Sequence, residues 1–358
     1  MRSVLVLVLL AAAAGHAAET VRIAMGERPE REVVVHGKGL QIGPDSEDGP
    51  FQPLNRDEVR VRHVGDALEV EGERVEGPAV RFRTSDTAHV LRAGNIEVRG
   101  EVVALPKGSR VLLVNVLPLE DYVAAVLGGE MPVSFPIAAL KAQAVAARTY
   151  ALSKKLEALS EPVHLGSSVL AQVYGGLNRE NPRTRAATQA TAGQVLTWEL
   201  APIEAYFHSS CEGRTETGLA ALGRDLPYLR SVDCNCKPGP NTRWTLELTS
   251  DQLERAFGTR GELKITGRTP SGRVRRIELG SRAMSGVEFR QRLGYEQVRS
   301  LAFEVAADGR GGARLTGRGY GHGAGLSQWG AHAMAEDGKD YRAILAHFYP
   351  DTELQQLY

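Results

Sequence analysis

The sequence is poor in several features that usually announce a function, and each shortage excludes something. Three cysteines in 358 residues allow at most one disulfide, so no disulfide framework holds this chain together. Lys and Arg together number 43, as do Asp and Glu, and a formal charge of zero gives no electrostatic footprint for nucleic acid. The glycine-rich stretches lack a GKS or GKT ending and a preceding dinucleotide-type pattern, which removes the phosphate-cradle reading. No internal repeat or low-complexity tract occurs beyond an alanine-rich leader. The apolar run in that leader, Val4 to Ala14, has eleven residues and is too short to span a bilayer comfortably.

What is present begins with that leader. Met1-Arg2 forms a short basic start, Val4 to Ala14 an apolar segment, and Gly15-His16-Ala17 a small-x-small cleavage site. Residues 1–18 therefore read as a signal peptide, with no cysteine nearby for lipid attachment and no stable membrane anchor expected. The mature chain is expected to be exported, to a periplasm or cell-wall space. Its 42% hydrophobic content suffices for a large core in two domains, or one core with insertions.

From about Thr20 to Leu105 the hydrophobic pattern has period two, punctuated by Gly43-Pro44, Gly49-Pro50 and Gly77-Pro78. This predicts a β-rich N-terminal domain over residues 19–107. His36, His63 and His89 fall in or beside its strands without metal-like pairing and read as structural. Near Pro106 the character changes to a mixed helix/strand core over 108–358, giving an α+β chain overall. The run LEDYVAAVLGG has helical spacing, and Gly128-Gly129 is expected to stop the helix. Ser134 is a candidate cap and Pro136 suits the first turn of a second, alanine-rich helix. About 245–307 a helix signal and a hairpin signal mark a small inserted subdomain.

Four constellations could carry chemistry. Glu130, in LGGEMPVSFP, is a carboxylate set between glycines and Met-Pro, and is expected on a connecting loop near the next helix N-terminus. Apolar surroundings would favour an acid there and a helix N-terminus a base. Lys141 and Arg148, seven residues apart, would project from one helix face about 10 Å apart and could flank an anionic or hydroxyl-rich ligand; a solvated face is the plainer reading. In GRGYGHGAGLSQWGA the glycines make sense where chain or ligand passes close, with Tyr320 and His322 displayed. Last, His208, Cys211, Cys234 and Cys236 read as H-S-S-C, then twenty-two residues, then C-N-C. Four soft ligands fit structural zinc. One disulfide with an odd thiol remains open, and a Cys/His nucleophile pair is a third reading.

The stretches LPLEDYVAAVLGGEMPVSFPIAALKAQAVAARTYAL, FHSSCEGRTE and GRGYGHGAGLSQWGAHAMAEDGKDYRAILAHFYPDTEL together resemble the SpoIID/LytB domain family, from about Val111 to Tyr358. The resemblance implies an exported peptidoglycan-remodelling protein. Some members are lytic transglycosylases that cut glycan strands between N-acetylmuramic acid and N-acetylglucosamine; others are described as enhancers of a cell-wall amidase. It implies Glu130 as catalytic acid/base, and Lys141, Arg148, Tyr320 and His322 as substrate-binding residues. Zinc is bound by some members through His and Cys of the middle segment. A lytic transglycosylase needs one such carboxyl, whereas a hydrolase would want a second, for which Glu204 and Glu216 are candidates. A non-catalytic, amidase-activating wall binder is the alternative.

Overall fold

The computed structural model describes residues 19–46, 49–86, 89–166, 174–211, 213–236, 239 and 242–358; the expected signal peptide lies outside them. The chain divides by packing into two units. One holds the described residues up to Tyr122, residues 161–166 and Tyr358, and the other holds the rest.

The first unit is built from strands. Six pair in the order Thr20–Glu30, Arg110–Pro118, Glu101–Lys107, Val80–Thr84, Leu40–Pro44 and Gln52–Pro53. Six more pair in the order Ile96–Val98, Leu91–Ala93, Glu32–His36, Glu58–Val64, Ala67–Val70 and Glu73–Val75. The period-two pattern is the cause: in Glu58–Val64, Val59 and Val61 are fully buried while Glu58, Arg60 and Arg62 face out. Arg81 is buried among these strands and satisfied by Asp45 and Glu101, at 2.7 and 2.9 Å.

The second unit is mixed, which makes the whole chain α+β. Its elements begin with the part of α1 (Leu119–Glu130) from Val123 onward and with α2 (Ile137–Glu157). They continue with α3 (Pro182–Gln189), α4 (Gly218–Leu222), α5 (Ser250–Phe257), α6 (Gly286–Leu293), α7 (Gln328–Glu336) and α8 (Tyr341–Phe348). The alanine-rich α2 is the central element. It is buried from Ala142 through Ser153 without a solvent stripe, and it packs against α3, α7, α8 and the strand Gln194–Trp198. Its N-cap is Pro136, which makes no side-chain hydrogen bond, so the expected cap at Ser134 is not formed. No helix among the described residues is long and apolar enough to cross a membrane.

Between Trp244 and Leu315 the chain gathers round a core of its own, with Phe257, Phe289, Ile277 and Phe303 at its centre. Thr249 and Gln252 form a capping box on α5, and Gly258 ends it in the left-handed conformation. The hairpin Leu263–Arg268 with Val274–Leu279 lies where turn chemistry predicted one.

Candidate functional site: a cavity beside Glu130

Glu130 is not on a loop. α1 runs through Gly128 and Gly129 and ends on Glu130 itself. The glycine at 128 serves close packing, because a Cβ there would lie 1.8 Å from the backbone oxygen of Arg179. Arg179 closes a 3₁₀ turn, Gly176–Arg179, that abuts α1. Glu130 thus stands at the C-terminal end of a helix, where the dipole opposes an anion, and not at the N-terminal end expected.

The turn after Glu130 is fastened on several sides. Met131 and Phe135 are buried, at 3% exposure each. Arg183 of α3 donates from Nε to Val133 O and from Nη2 to Phe135 O, both at 2.8 Å. The Phe135 ring meets Trp329 edge-on at 4.9 Å and His332 at 4.4 Å. The GEMPVSFP and SQWGAHA stretches, far apart in sequence, are therefore packed on one another.

Half-buried Glu130 lines a cavity of about 490 Å³. Tyr150, Tyr206, His208, Tyr320, His322, Gln328 and the α6 region (Val287, Arg290, Tyr295, Glu296) share the lining. Tyr150 and Tyr206 meet edge-on at 5.3 Å, and burial pushes the Tyr150 phenol up to about 12, with Tyr206 adding to the shift. Both tyrosines are thus neutral hydrogen-bonding groups at any physiological pH.

His322 is held by backbone on both nitrogens. The Ala324 N–H donates to Nδ1 at 3.1 Å, so the ring proton sits on Nε2, which donates to Phe207 O at 2.9 Å. Burial, with nearby Arg290, brings its pKa down to about 4. His322 is a neutral ring that fixes the loop, and its nitrogens are not displayed to a ligand as expected. The glycines nearby admit chain and not ligand: Gly325, at φ +68°, would place a Cβ 2.0 Å from Tyr206 O. Tyr320 keeps its place on the cavity wall, paired through its backbone with Ser210 at 2.9 and 3.0 Å.

Lys141 and Arg148 are not brought into the cavity. Lys141 Nζ lies over the Tyr341 ring at 5.8 Å. Arg148 is fully buried and donates to Gln194 O at 3.2 Å and Thr188 O at 3.3 Å, tying α2 to α3 and the neighbouring strand. The alternative carboxylates are also engaged. Glu204 accepts from Lys154 at 2.7 Å, Tyr206 OH at 3.0 Å and Arg224 at 2.5 Å. Glu216 accepts from Thr217 N–H at 2.9 Å and from the Thr269 and Ser271 hydroxyls at 2.6 Å each. Glu296, exposed at the rim, is the other carboxylate of the lining and was not foreseen. Arg183, Tyr150, Tyr206 and Arg290 were also missed. Of these only Tyr206, in the aromatic run AYFHSS, carried a local signal.

The three cysteine sulfurs lie within 4.8 Å of one another and could hold a metal ion. Cys211 and Cys236 Sγ are 3.5 Å apart, close to the edge of about 3.8 Å that tetrahedral metal–sulfur bonds of about 2.3 Å would give. Hydrogen bonds from Cys211 and Cys234 hold the Cys236 thiol down to about 2, and burial pushes Cys211 up to about 12. His208, the expected fourth ligand, is outside that group. Its Nδ1 donates to Ala324 O at 3.1 Å, while its buried Nε2 has no hydrogen-bond partner. Burial keeps this ring neutral.

A family model described as SpoIID, Stage II sporulation protein, matches residues 107–198, which include Glu130, Arg148 and Arg183. A Stage II sporulation protein D of Bacillus amyloliquefaciens is 34% identical over 67% of this chain and 75% of its own. The chain belongs to the SpoIID/LytB family. Another relative, an uncharacterised protein of Brachyspira hyodysenteriae, is 31% identical over 80% of this chain and 79% of its own. The SpoIID/LytB relationship reaches further to a protein named amidase enhancer in Bacillus subtilis, 29% identical over 64% of this chain and 39% of that one.

Proposed function

We propose that this SpoIID/LytB protein is an exported lytic transglycosylase of peptidoglycan, with Glu130 as its single acid/base. A cell-wall related role follows from the family and from the relative named amidase enhancer. The observation that carries the finer reading is the place of Glu130 on the cavity wall. It stands half-buried in a cavity lined by Tyr150, Tyr206 and Tyr320, while Glu204 and Glu216 are consumed by partners. A hydrolase would need a second inward carboxylate to activate water, and Glu296 at the rim is exposed.

The steps balance with one carboxyl. Protonated Glu130 gives its proton to the glycosidic oxygen between muramic acid and glucosamine as the C1–O bond breaks. The resulting carboxylate then takes the proton of the muramic C6 hydroxyl while O6 bonds to C1, which closes an anhydro ring and restores the acid. No water is consumed. The helix C-terminus beneath Glu130 favours its protonated form, and the tyrosine rings offer faces for sugars. Zinc on Cys211, Cys234 and Cys236 would fasten the loop after the strand Phe207–His208 and would take no part in bond cleavage.

The test is Glu130→Gln with purified glycan strands and product masses. The variant should fold, bind glycan and cut it about 10²–10⁴ times more slowly. Wild-type products should end in anhydro-muramic acid, lighter by one water than hydrolytic ends. Reducing muramic ends would move the case to a hydrolase. The relative named amidase enhancer favours a second reading, a non-catalytic activator of a wall amidase. Wild type that binds strands, cuts none, and accelerates an amidase would establish it.

A further inference from the structure

The α6 region presents a buried cation to the cavity. Arg290 is 8% exposed, lines the same cavity as Glu130, and comes from the small core between Trp244 and Leu315. Two of its donors are fixed to backbone: Nε to Val298 O at 2.7 Å and Nη2 to Arg299 O at 2.9 Å. The Tyr295 ring lies 4.8 Å from its guanidinium carbon. These contacts hold the group in one orientation without neutralising it.

Among the described residues no carboxylate pairs with Arg290 or acts on its charge. Its pKa is pulled to about 10 by burial, opposed by Tyr295 and Tyr320, which also shows how close the charge lies to the cavity's aromatic wall. Other buried arginines differ. Arg81 has Asp45 and Glu101, Arg273 has Glu216 nearby, and Arg148 does not line the cavity. A buried cation without a counter-charge is expensive, and a ligand carboxylate entering the cavity would supply one.

We propose that Arg290 is a specificity-determining residue that receives a carboxylate carried by the substrate, in the same cavity where Glu130 meets the scissile bond. This rests on the glycan reading above and deepens it. The carboxylate could belong to the lactyl ether of a muramic residue or to a peptide attached through it, and both offer the planar pair of oxygens that a guanidinium fork accepts. Tyr295, stacked on Arg290, would close the far side of that subsite. The small core between Trp244 and Leu315 is thereby assigned the reading of substrate charge, and α1 the chemistry.

The experiment measures binding by titration calorimetry in the Glu130→Gln background, so that no ligand is consumed. Three muramic-acid-containing oligosaccharides of one length are compared: free lactyl carboxylate, lactyl methylamide, and lactyl-linked peptide with a free C-terminal carboxylate. The methylamide should bind at least about tenfold more weakly than one or both acidic forms, and the stronger acidic form identifies the source. Arg290→Gln should erase that preference and Arg290→Lys should retain part of it, with thermal melts confirming folding. If the variants do not fold, the comparison on the Glu130→Gln protein still decides. Equal affinity for all three ligands, or a preference that survives in folded Arg290→Gln, overturns the assignment. Preference without any cleavage by the Glu130-intact chain would sink the transglycosylase reading and leave Arg290's role standing. Cleavage without preference would do the reverse.

Discussion

Gly128→Ala separates two explanations of the same glycine by the sign of a stability change. If Gly128 were a helix terminator, alanine would strengthen α1, by up to about 1 kcal/mol on helix propensity. The structure predicts the opposite. The new Cβ would lie 1.8 Å from Arg179 O and 3.0 Å from Arg179 C, both backbone atoms that cannot rotate away. The 3₁₀ turn or the end of α1 must move by more than an ångström, and overpacking of this kind costs about 1–3 kcal/mol. With the full propensity gain of about 1 kcal/mol subtracted, the net loss reaches about 2 kcal/mol, or several degrees in Tm for a unit of this size. Glu130 is the last residue of the displaced helix, so under the proposed function glycan cleavage should fall more than the melt alone implies. Urea and thermal melts followed by circular dichroism, with cleavage measured at a temperature where the variant is folded, give both readouts. A melting point equal to or above wild type would refute the close-packing argument.

The folded pKa of His322, about 4, lies below the ordinary value of 6.5, so the unfolded chain binds the extra proton; its contribution to stability is complete above pH 6.5 and is lost as pH falls toward 4. The urea midpoint should therefore decline between pH 6.5 and 5, above the range of ordinary carboxylates, with buried His208 contributing in the same direction, and His322→Gln should make that limb shallower; an unchanged slope would show that burial of the His322 ring contributes nothing to it. Native mass spectrometry should find one metal ion per chain, lost in Cys234→Ser, and chelation should lower the melting point; a metal-free chain with two of its three thiols unreactive would establish a disulfide instead.

Much of this was legible because local chemistry and tertiary structure agree. Alternation in the first hundred residues dictates strands whose two faces differ in burial, and the run SDQLERAFG signals its helix before any contact is known. The setting of Glu130 was visible, but its glycines were misread as a terminator. The reason for Gly128 is an oxygen about fifty residues away, to which a local pattern is blind. Lys141 and Arg148 do share a helix, yet α2 is enclosed by α3, α7 and α8, and enclosure turned Arg148 from a ligand candidate into a donor for stranded carbonyls. His322 was recognisable as important, though its function as a doubly anchored ring depends on Phe207 and Ala324. Arg290 carried no signal, because an arginine in an amphipathic run looks like any solvated charge until its burial is known.

The strand Phe207–His208 pairs in parallel with Leu326–Ser327, so everything between them is one long crossover. Its two ends are clamped side by side by the Ser210–Tyr320 backbone pair and by the Leu326 N–H to Tyr206 O bond of 3.2 Å. Closing a loop costs free energy only as the logarithm of its length, with each doubling worth about 0.6 kcal/mol. The closure entropy of the excursion therefore depends only weakly on its length, provided the clamp survives. Glu130 lies outside it, on α1, whereas Arg290, Tyr295 and Glu296 lie within it. The proposed acid, Glu130, and the cavity wall formed by Arg290, Tyr295 and Glu296 thus come from separate segments of the chain.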